Sequence, residues 1–277
     1  MEATAAAVLR LYGDIAQNPT GKIEALSGGD IALSTSSSIV GGVVSLAKGT
    51  LLQGGAASSI TGTTAIKNAG EILSDVSGSE FTINSPIKNA STGTLVAENN
   101  SLLICTGAVT KGTVQIKDTS KVYFDGPSSA NVTFASGGEP ELVLTNPSEF
   151  TGTVAGMAAN SGASIDLEYI PFADDPIVSP LSAKGVLTVT DPVTHVIDTI
   201  KIVGGGTFTA TSGGIAGSTL IEDPPANAAG VPHTNTNLLA QSIASFGASG
   251  SIAGSGTSAL AQNHSSSDFL AANSHHG

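Results

Sequence analysis

The chain has 277 residues, 40% of them hydrophobic, so it is long enough and apolar enough to bury a sizeable core. It carries 10 basic and 22 acidic residues with a single arginine, Arg10, and this excludes the clustered basic surface that a nucleic-acid-binding protein needs. Trp is absent and aromatic residues make up 4% of the chain, so we expect a thin, regular core in which Ala, Val, Ile and Leu form stacked layers.

The single cysteine, Cys105, excludes an internal disulfide. It ends the apolar run Leu102–Cys105, where we expect a small buried hydrophobe rather than a reactive thiol. No continuous apolar stretch reaches about 20 residues, so no transmembrane segment is predicted. The first residues lack a basic region followed by an apolar signal core. We therefore expect export either through an uncleaved signal or as one segment of a longer exported protein.

Residues 1–18 are predicted to form one amphipathic helix that ends at Asn18-Pro19. Its apolar side chains fall at helical spacing: Val8, Leu11, Tyr12 and Ile15. A helix laid over the first coil of a solenoid would block further strand pairing, so the segment 1–19 is interpreted as a cap. The alternative is that these side chains contact a neighbouring molecule.

Residues 20–149 consist of short alternating apolar segments broken every few residues by Gly, Asn, Ser or Asp, which is typical of short strands. The segment Ile66-Lys67-Asn68-Ala69 recurs 21 residues later as Ile87-Lys88-Asn89-Ala90. Three leucines, Leu51, Leu73 and Leu95, are 22 residues apart. Further along, Gly93-Thr94-Leu95 is echoed by Gly112-Thr113-Val114 and by Gly152-Thr153-Val154.

A period of about 19–22 residues with two or three short strands per repeat predicts an all-β fold, a parallel β-helix. Strands of successive coils pair about 4.8 Å apart, inward residues stack in columns, and turn residues stack in ladders. Right-handed winding follows from the general preference of parallel crossovers. The residues predicted to form the core and the ladder are Leu51, Ile66, Asn68, Leu73, Ile87, Asn89, Leu95, Val114 and Ile116.

A β-sandwich is the alternative fold, because it also gives short strands with regularly spaced turn signals. The literal repeat counts against it. So does the scarcity of large aromatic side chains that would fill the space between two sheets.

Residues 150–225 form a different pattern of strands that ends at Pro224-Pro225. Four fragments occur in order: FTGTVAG from Phe150, SIDL from Ser164, LTVTD from Leu187 and GSTLIEDPP from Gly217. This stretch resembles the terminal module of large secreted, autotransporter-like β-solenoid surface proteins of alphaproteobacteria. The resemblance implies an exported protein at the cell surface or in a matrix, and it implies no reaction.

The sequence departs from that family pattern in two places. Ala163 stands where the family usually has an acidic residue, so a cation held through that position is not expected here. The turn Gly204-Gly205-Gly206 is shorter than the family's usual turn.

Residues 226–277 are rich in Ala, Gly, Ser and Asn, carry one charged residue, Asp268, and are interpreted as a low-complexity tail. A short helix in this tail would expose apolar side chains, which are Leu238, Leu239, Ile243, Phe246, Phe269 and Leu270. Such a segment could dock on another subunit. Contacts between unlike ends that do not close generate a filament, so a head-to-tail homopolymer is predicted.

No catalytic or metal site is predicted. Parallel β-helix lyases and hydrolases need clustered acids with a basic residue, or two carboxylates on one face. The acids do not cluster, since Asp118 and Asp125 flank one strand and Asp174-Asp175 lie in a loop. The histidines are isolated or lie in the tail, at His195, His233, His264, His275 and His276. We therefore expect no cofactor and no enzymatic activity.

Three functions remain open at this point. The favoured one is a structural subunit of an extracellular fibre, surface layer or matrix. The second is an adhesin that binds polysaccharide or a surface through a flat face rich in Thr, Ser and Asn. The third, and least supported by the residues present, is a carbohydrate-active enzyme.

Overall fold

A computed structural model describes residues 1–157, 162–214 and 217–223. They fall in the first of two units into which the chain divides, Met1–Gly230. Within the described residues the helical elements are two single 3-10 turns, Pro147–Glu149 and Phe172–Asp174. Everything else that is regular is β-strand.

The first half of the chain forms eighteen strands, three per coil. They are β1 (Glu2–Ala3), β2 (Val8–Leu11), β3 (Asp14–Ala16), β4 (Lys22–Ala25), β5 (Asp30–Leu33), β6 (Ser38–Val40), β7 (Val43–Leu46), β8 (Leu51–Gly54), β9 (Ser58–Thr61), β10 (Ala65–Asn68), β11 (Glu71–Ser74), β12 (Glu80–Asn84), β13 (Ile87–Asn89), β14 (Thr94–Ala97), β15 (Leu102–Cys105), β16 (Val109–Thr110), β17 (Thr113–Ile116) and β18 (Lys121–Phe124).

Nine further strands complete the described fold. They are β19 (Asn131–Phe134), β20 (Glu141–Leu144), β21 (Thr153–Ala155), β22 (Ser164–Pro171), β23 (Ile177–Val178), β24 (Val186–Thr190), β25 (Ile197–Val203), β26 (Thr209–Ser212) and β27 (Ser218–Glu222).

Three sheets run along the stack. Sheet A has the order β1-β4-β7-β10-β13-β16. Sheet B runs β2-β5-β8-β11-β14-β17-β19-β21 and continues into β25-β24-β23, and sheet C runs β3-β6-β9-β12-β15-β18-β20-β22 and continues into β27-β26. Each of the first six coils gives one strand to every sheet. In the next two coils, isolated bridges at Ser128 and Phe150 replace the sheet A strand.

Coil-to-coil pairing is parallel at every step from the first coil to β22. The literal repeat is a direct register, because Ile66, Lys67 and Asn68 lie opposite Ile87, Lys88 and Asn89. This pairing confirms the predicted parallel β-solenoid and excludes the β-sandwich alternative for the described coils.

The core consists of aliphatic columns that run through the coils. Along the four-residue strands of sheet B, alternate residues point inward, so that most coils contribute two core residues, such as Val114 and Ile116. The sheet B column is Leu9, Ile31, Leu52, Ile72, Leu95, Val114, Val132, Val154 and Ile202. Sheet C has a matching column of Ile15, Ile39, Ile60, Ile83, Cys105, Phe124, Leu144 and Leu167.

The predicted N-terminal helix is wrong. Residues 1–16 contain β1, β2 and β3, which form the first coil of the solenoid. Leu9 and Leu11 lie opposite Ile31 and Leu33 of the second coil, so these short strands are stabilised by hydrogen bonds to residues 22 positions away rather than by local ones. Left-handed backbone at Ala5, Ala6 and Gly13 breaks the segment at its corners. Helical spacing of four apolar residues was therefore a coincidence.

The three leucines spaced 22 residues apart, Leu51, Leu73 and Leu95, do not lie opposite one another in the stack. Leu51 lies opposite Glu71 and points away from the core. Leu73 lies opposite Gln53 and Val96 on the outer side of sheet B, where it is nevertheless buried, as predicted. Only Leu95 of the three belongs to the sheet B column. The separations of paired residues differ from step to step because the corners differ in length, so one fixed spacing drifts out of register.

Two kinds of corner set the bends. Gly112 has a φ of +73°, and a β-carbon there would lie 2.6 Å from Gly93 O and 2.7 Å from Asn89 Cβ, so the close approach of neighbouring coils requires glycine. Asn99 and Asn100 take left-handed φ values of 60° and 59°, which asparagine tolerates well. Strand-paired residues of successive coils lie 18 to 24 positions apart, because the corners vary in length while the strands stay short.

After β22 the pairing changes, and β23–β27 form a terminal module. On sheet C, β27 pairs antiparallel with β22 and β26 pairs antiparallel with β27. On sheet B, β25 pairs parallel with β21, and β24 and β23 follow antiparallel. Two reversals return β23 and β26 to the direction of the coils.

Candidate functional site

The predicted asparagine ladder lies at the corner between sheets A and B. Asn68 Nδ2 donates to Asn89 Oδ1 at 2.9 Å and to Thr94 O at 3.0 Å, and Asn89 Nδ2 donates to Lys111 O at 3.0 Å. Both side chains are buried. Asn68 Oδ1 has no hydrogen-bond partner among the described residues. The ladder satisfies backbone carbonyls at a buried corner, which is a structural role.

The other predicted core residues lie in columns of the stack. Ile66 and Ile87 lie in a sheet A column between Val44 and Val109, and all four are fully buried. Leu95 and Val114 are neighbours in the sheet B column, and Ile116 is inward-facing on the same strand as Val114. None of these residues faces solvent.

The four predicted contact residues of the first segment have different environments in the first coil. Leu11 is buried in the core, Ile15 is partly buried, and Val8 and Tyr12 are 46% and 69% exposed. The six predicted contact residues of the tail, Leu238, Leu239, Ile243, Phe246, Phe269 and Leu270, lie outside the described residues.

Among the described residues, no strand pairs with the outer edges of the first coil. In the described fold β1, β2 and β3 are the edge strands of sheets A, B and C. The core columns also end there. Leu9 and Ile15 are only partly buried, whereas Ile31 and Ile39, which follow them in the columns, are fully buried. An edge with free N–H and C=O groups beside apolar side chains is a template for another β-strand.

Exposed large apolar side chains concentrate at the two ends of the described stack. In the first coil they are Met1, Val8 and Tyr12. In or next to the terminal module they are Tyr169, Phe172, Ile177, Val193, Ile197 and Val203. Only Val40 of the exposed set lies elsewhere in the described part of the chain. The flanks of the coils between residues 41 and 168 are therefore the polar part of the surface.

The far edges differ from the first coil. Sheet B ends at β23, a two-residue strand between Pro176 and Pro180, and sheet C ends at β26. Proline has no backbone N–H, so it shortens the segment that an added strand can pair with. The sheet B edge at this end is therefore shielded by prolines, whereas the sheet C edge at β26 is not.

Asp166 is a buried acidic residue that the sequence did not identify as a candidate site. Asp166 lies on β22 between the core residues Ile165 and Leu167, so its side chain is on the outer side of sheet C. It is nevertheless fully buried there. Among the described residues neither of its carboxylate oxygens has a hydrogen-bond partner. Burial, followed by Glu141 and Glu168, raises the pKa of Asp166 to about 6, and Ser218 and Lys121 partly oppose this. Strand alternation alone would have placed Asp166 in solvent.

Tyr123 belongs to the same surface. It lies opposite Val143, which in turn lies opposite Asp166. Burial, together with Glu168, Glu141 and Asp166, raises the pKa of Tyr123 to about 12. This outer face of sheet C is therefore strongly acidic, with one ion pair, Lys121 Nζ to Glu141 Oε2 at 2.9 Å.

The predicted loop acids and histidine do not form a site. Asp175 and His195 take left-handed φ values of 56° and 59°, and both lie in turns. Asp191 accepts hydrogen bonds from Thr194 Oγ1 at 2.5 Å and from Val193 N at 2.8 Å. These bonds lower the pKa of Asp191, and the bond from the Thr194 side chain has the largest effect. These groups close the turn between β24 and β25.

Of the remaining acids and histidines considered in the sequence, only some lie in the described part of the chain. Asp118 lies at a corner and accepts a hydrogen bond from Asn99 N at 3.1 Å. His233, His264, His275 and His276 lie outside the described residues. Within the described ranges no three His, Cys, Asp or Glu side chains are placed to hold a metal ion.

A groove of about 390 Å³ lies at the corner between sheets A and B in the middle coils. Acidic, basic and hydroxyl side chains line this groove, and they include Asp30, Lys48, Thr50, Glu71 and Thr94. It carries charged and hydroxyl hydrogen-bonding groups of the kind that hold sugars.

No protein-family model matches the chain, and no curated protein matches it. In the described residues no helix is long and apolar enough to cross a membrane.

Proposed function

We propose that this chain is a structural subunit of an extracellular fibre, surface layer or matrix, in which β-solenoids join end to end. The observation that carries the proposal is the first coil, where three unpaired strand edges surround the open ends of the core columns. A coil-shaped partner would bury Leu9 and Ile15 and complete all three sheets at once.

The distribution of apolar surface supports contact through the ends rather than the flanks. Val8 and Tyr12 are exposed at one end, and Ile177, Ile197 and Val203 at the other. The ends are different surfaces, so a contact between them is heterologous and continues as a filament. The shielding of β23 by prolines makes the first coil the accepting surface in this scheme.

Export to the cell surface is part of the proposal. It rests on the resemblance of residues 150–225 to terminal modules of secreted β-solenoid proteins and on the acidic composition. Right-handed winding and the absence of enzymatic activity likewise remain predictions.

The test uses the full chain, purified and concentrated. We expect filaments in negative-stain electron micrographs and a mass that rises with concentration in light scattering. The double variant Val8→Lys, Tyr12→Lys should lower the association constant at least tenfold, because two buried charges would oppose the contact. Thr133→Lys, an exposed flank position, is the matched control and should assemble normally.

Dispersed monomers, both for the full chain and for a chain ending at residue 225, would rule the proposal out. Assembly that survives the first-coil substitutions but fails in Thr133→Lys would place the contact on the flanks instead.

A polysaccharide-binding adhesin is the second candidate, and the groove around Lys48 and Glu71 favours it. Glycan-array binding that is lost in Glu71→Gln, together with a monomeric protein, would support this candidate over the fibre subunit.

A further inference from the structure

Asp166 lies at the seam between the coils and the terminal module. Its strand, β22, is the last parallel strand of sheet C, and its pairing partner on the module side is Leu220 of β27. The strands β26 and β27 are held to the coils through this seam and through Phe172 N to Gly217 O at 2.7 Å and Thr219 Oγ1 to Ile170 O at 2.8 Å.

Two residues of the β26–β27 hairpin cover the Asp166 carboxylate. A β-carbon built on Gly213 would lie 2.9 Å from Oδ2 and 3.0 Å from Oδ1 of Asp166, so the hairpin backbone is in direct contact with the acid. The same β-carbon would collide with Ser218 Oγ, which places that hydroxyl beside the carboxylate. Ser218 Oγ is buried and has no hydrogen-bond partner among the described residues.

The surroundings of Asp166 disfavour its charged form. Burial removes the hydration of both forms, and without N–H donors the loss costs a carboxylate far more free energy than a protonated carboxyl group. Charged or titratable side chains face it from the elements packed around it, and they are Lys121 and Tyr123 on β18, Glu141 on β20, Glu168 on β22 and Glu222 on β27. On β26, Thr211 is neutral and donates to Glu222 Oε2 at 3.1 Å.

We propose that Asp166 is a proton-controlled latch that holds the β26–β27 hairpin against β22 in acid and releases it as the carboxyl group ionises. When Asp166 is protonated, its O–H can donate to Ser218 Oγ of the hairpin. When Asp166 is ionised, the closed hairpin keeps a charge out of water, and opening the seam restores hydration. The latch concerns the terminal module alone and does not depend on the proposed assembly.

The direction of the effect follows from linkage. The pKa of Asp166 is raised from 3.8 to about 6 in the closed hairpin, so the closed state binds the proton more tightly than the open state. Closure is therefore most favourable below pH 4 and weakens as the pH rises towards and through 6. If the open state has the ordinary pKa, the opening constant rises on the order of 100-fold between pH 4 and pH 7.

Hydrogen–deuterium exchange of the full chain tests the latch, with rates corrected for the intrinsic effect of pH. We expect protection of peptides from 209–222 to fall up to about 100-fold between pH 4 and pH 7, with peptides from β14 as the unchanging reference. Asp166→Asn should give high protection at every pH, because an amide is neutral and can donate to Ser218.

Two outcomes would overturn the proposal. One is unchanged protection of 209–222 across this pH range in the wild-type chain. The other is the same pH dependence in Asp166→Asn. If that variant fails to fold, Glu168→Gln provides the second measurement, since removing a neighbouring negative charge must shift the midpoint to lower pH.

Discussion

The coils and the terminal module bury different kinds of polar group. Buried polar side chains of the described coils before β22 are serines, threonines and the two ladder asparagines. The fully buried acids of the described residues, Asp166, Asp191 and Asp198, lie on β22 or in the terminal module. A neutral interior makes the coils insensitive to pH, whereas the module combines antiparallel pairing with buried charge. Sensitivity to pH should therefore be local to one end.

The largest loss of stability is expected when a carboxylate is placed inside the coils, whose buried polar groups are otherwise neutral. Asn89→Asp loses the donor to Lys111 O and buries an acid at a corner, so we expect a loss of about 3–5 kcal/mol in the free energy of unfolding at pH 7. The loss should shrink at pH 4, since burial favours the protonated acid. Urea titrations at both pH values measure this, with the exposed Thr133→Asp as the control.

Truncation of a column residue should have the next largest effect. Leu95 is fully buried between Ile72 and Val114, so Leu95→Ala should cost about 2–5 kcal/mol in urea unfolding. Leu51→Ala is the matched control and should cost clearly less, because Leu51 is outside the column. Equal losses would show that Leu51 contributes as much to packing as a residue of the column.

The smallest effect is expected from an ion pair on the flank of the coils. Lys117 Nζ lies 2.7 Å from Glu98 Oε2, and both side chains are partly exposed. Lys117→Ala should change the free energy of unfolding by less than about 1 kcal/mol. A double-mutant cycle with Glu98→Ala isolates the coupling, and a value well above 1 kcal/mol would mean that the flanks stabilise the coils more than their exposure indicates.

The repeat around Asn68 and Asn89 was informative because the corner between these strands keeps its length, so the sequence period equals the structural period. The leucine spacing failed where corner lengths change. The helix prediction for residues 1–18 failed because a strand of two to four residues has too little alternation to be distinguished from helical spacing.

Asp166 could not be recognised as a site from its own segment. Alternation with Ile165 and Leu167 places it away from the core, where an acid is normally solvated. Its burial depends on Gly213 and Ser218, about fifty residues later, whose approach follows from antiparallel pairing that no local pattern encodes.

The corners of the coils can accept extra residues. Asn99 and Asn100 bend the backbone between two strands, and they are tied to the neighbouring coils by Asn99 N to Asp118 Oδ2 and by Gly78 N to Asn100 O. Paired residues elsewhere in the coils are 18 to 24 positions apart. Each doubling of a flexible loop costs only about 0.6 kcal/mol. Extra residues between these asparagines would thus project a peptide from the flank while the columns beneath keep their contacts, which makes the coil corner a natural place to display an epitope or a binding sequence.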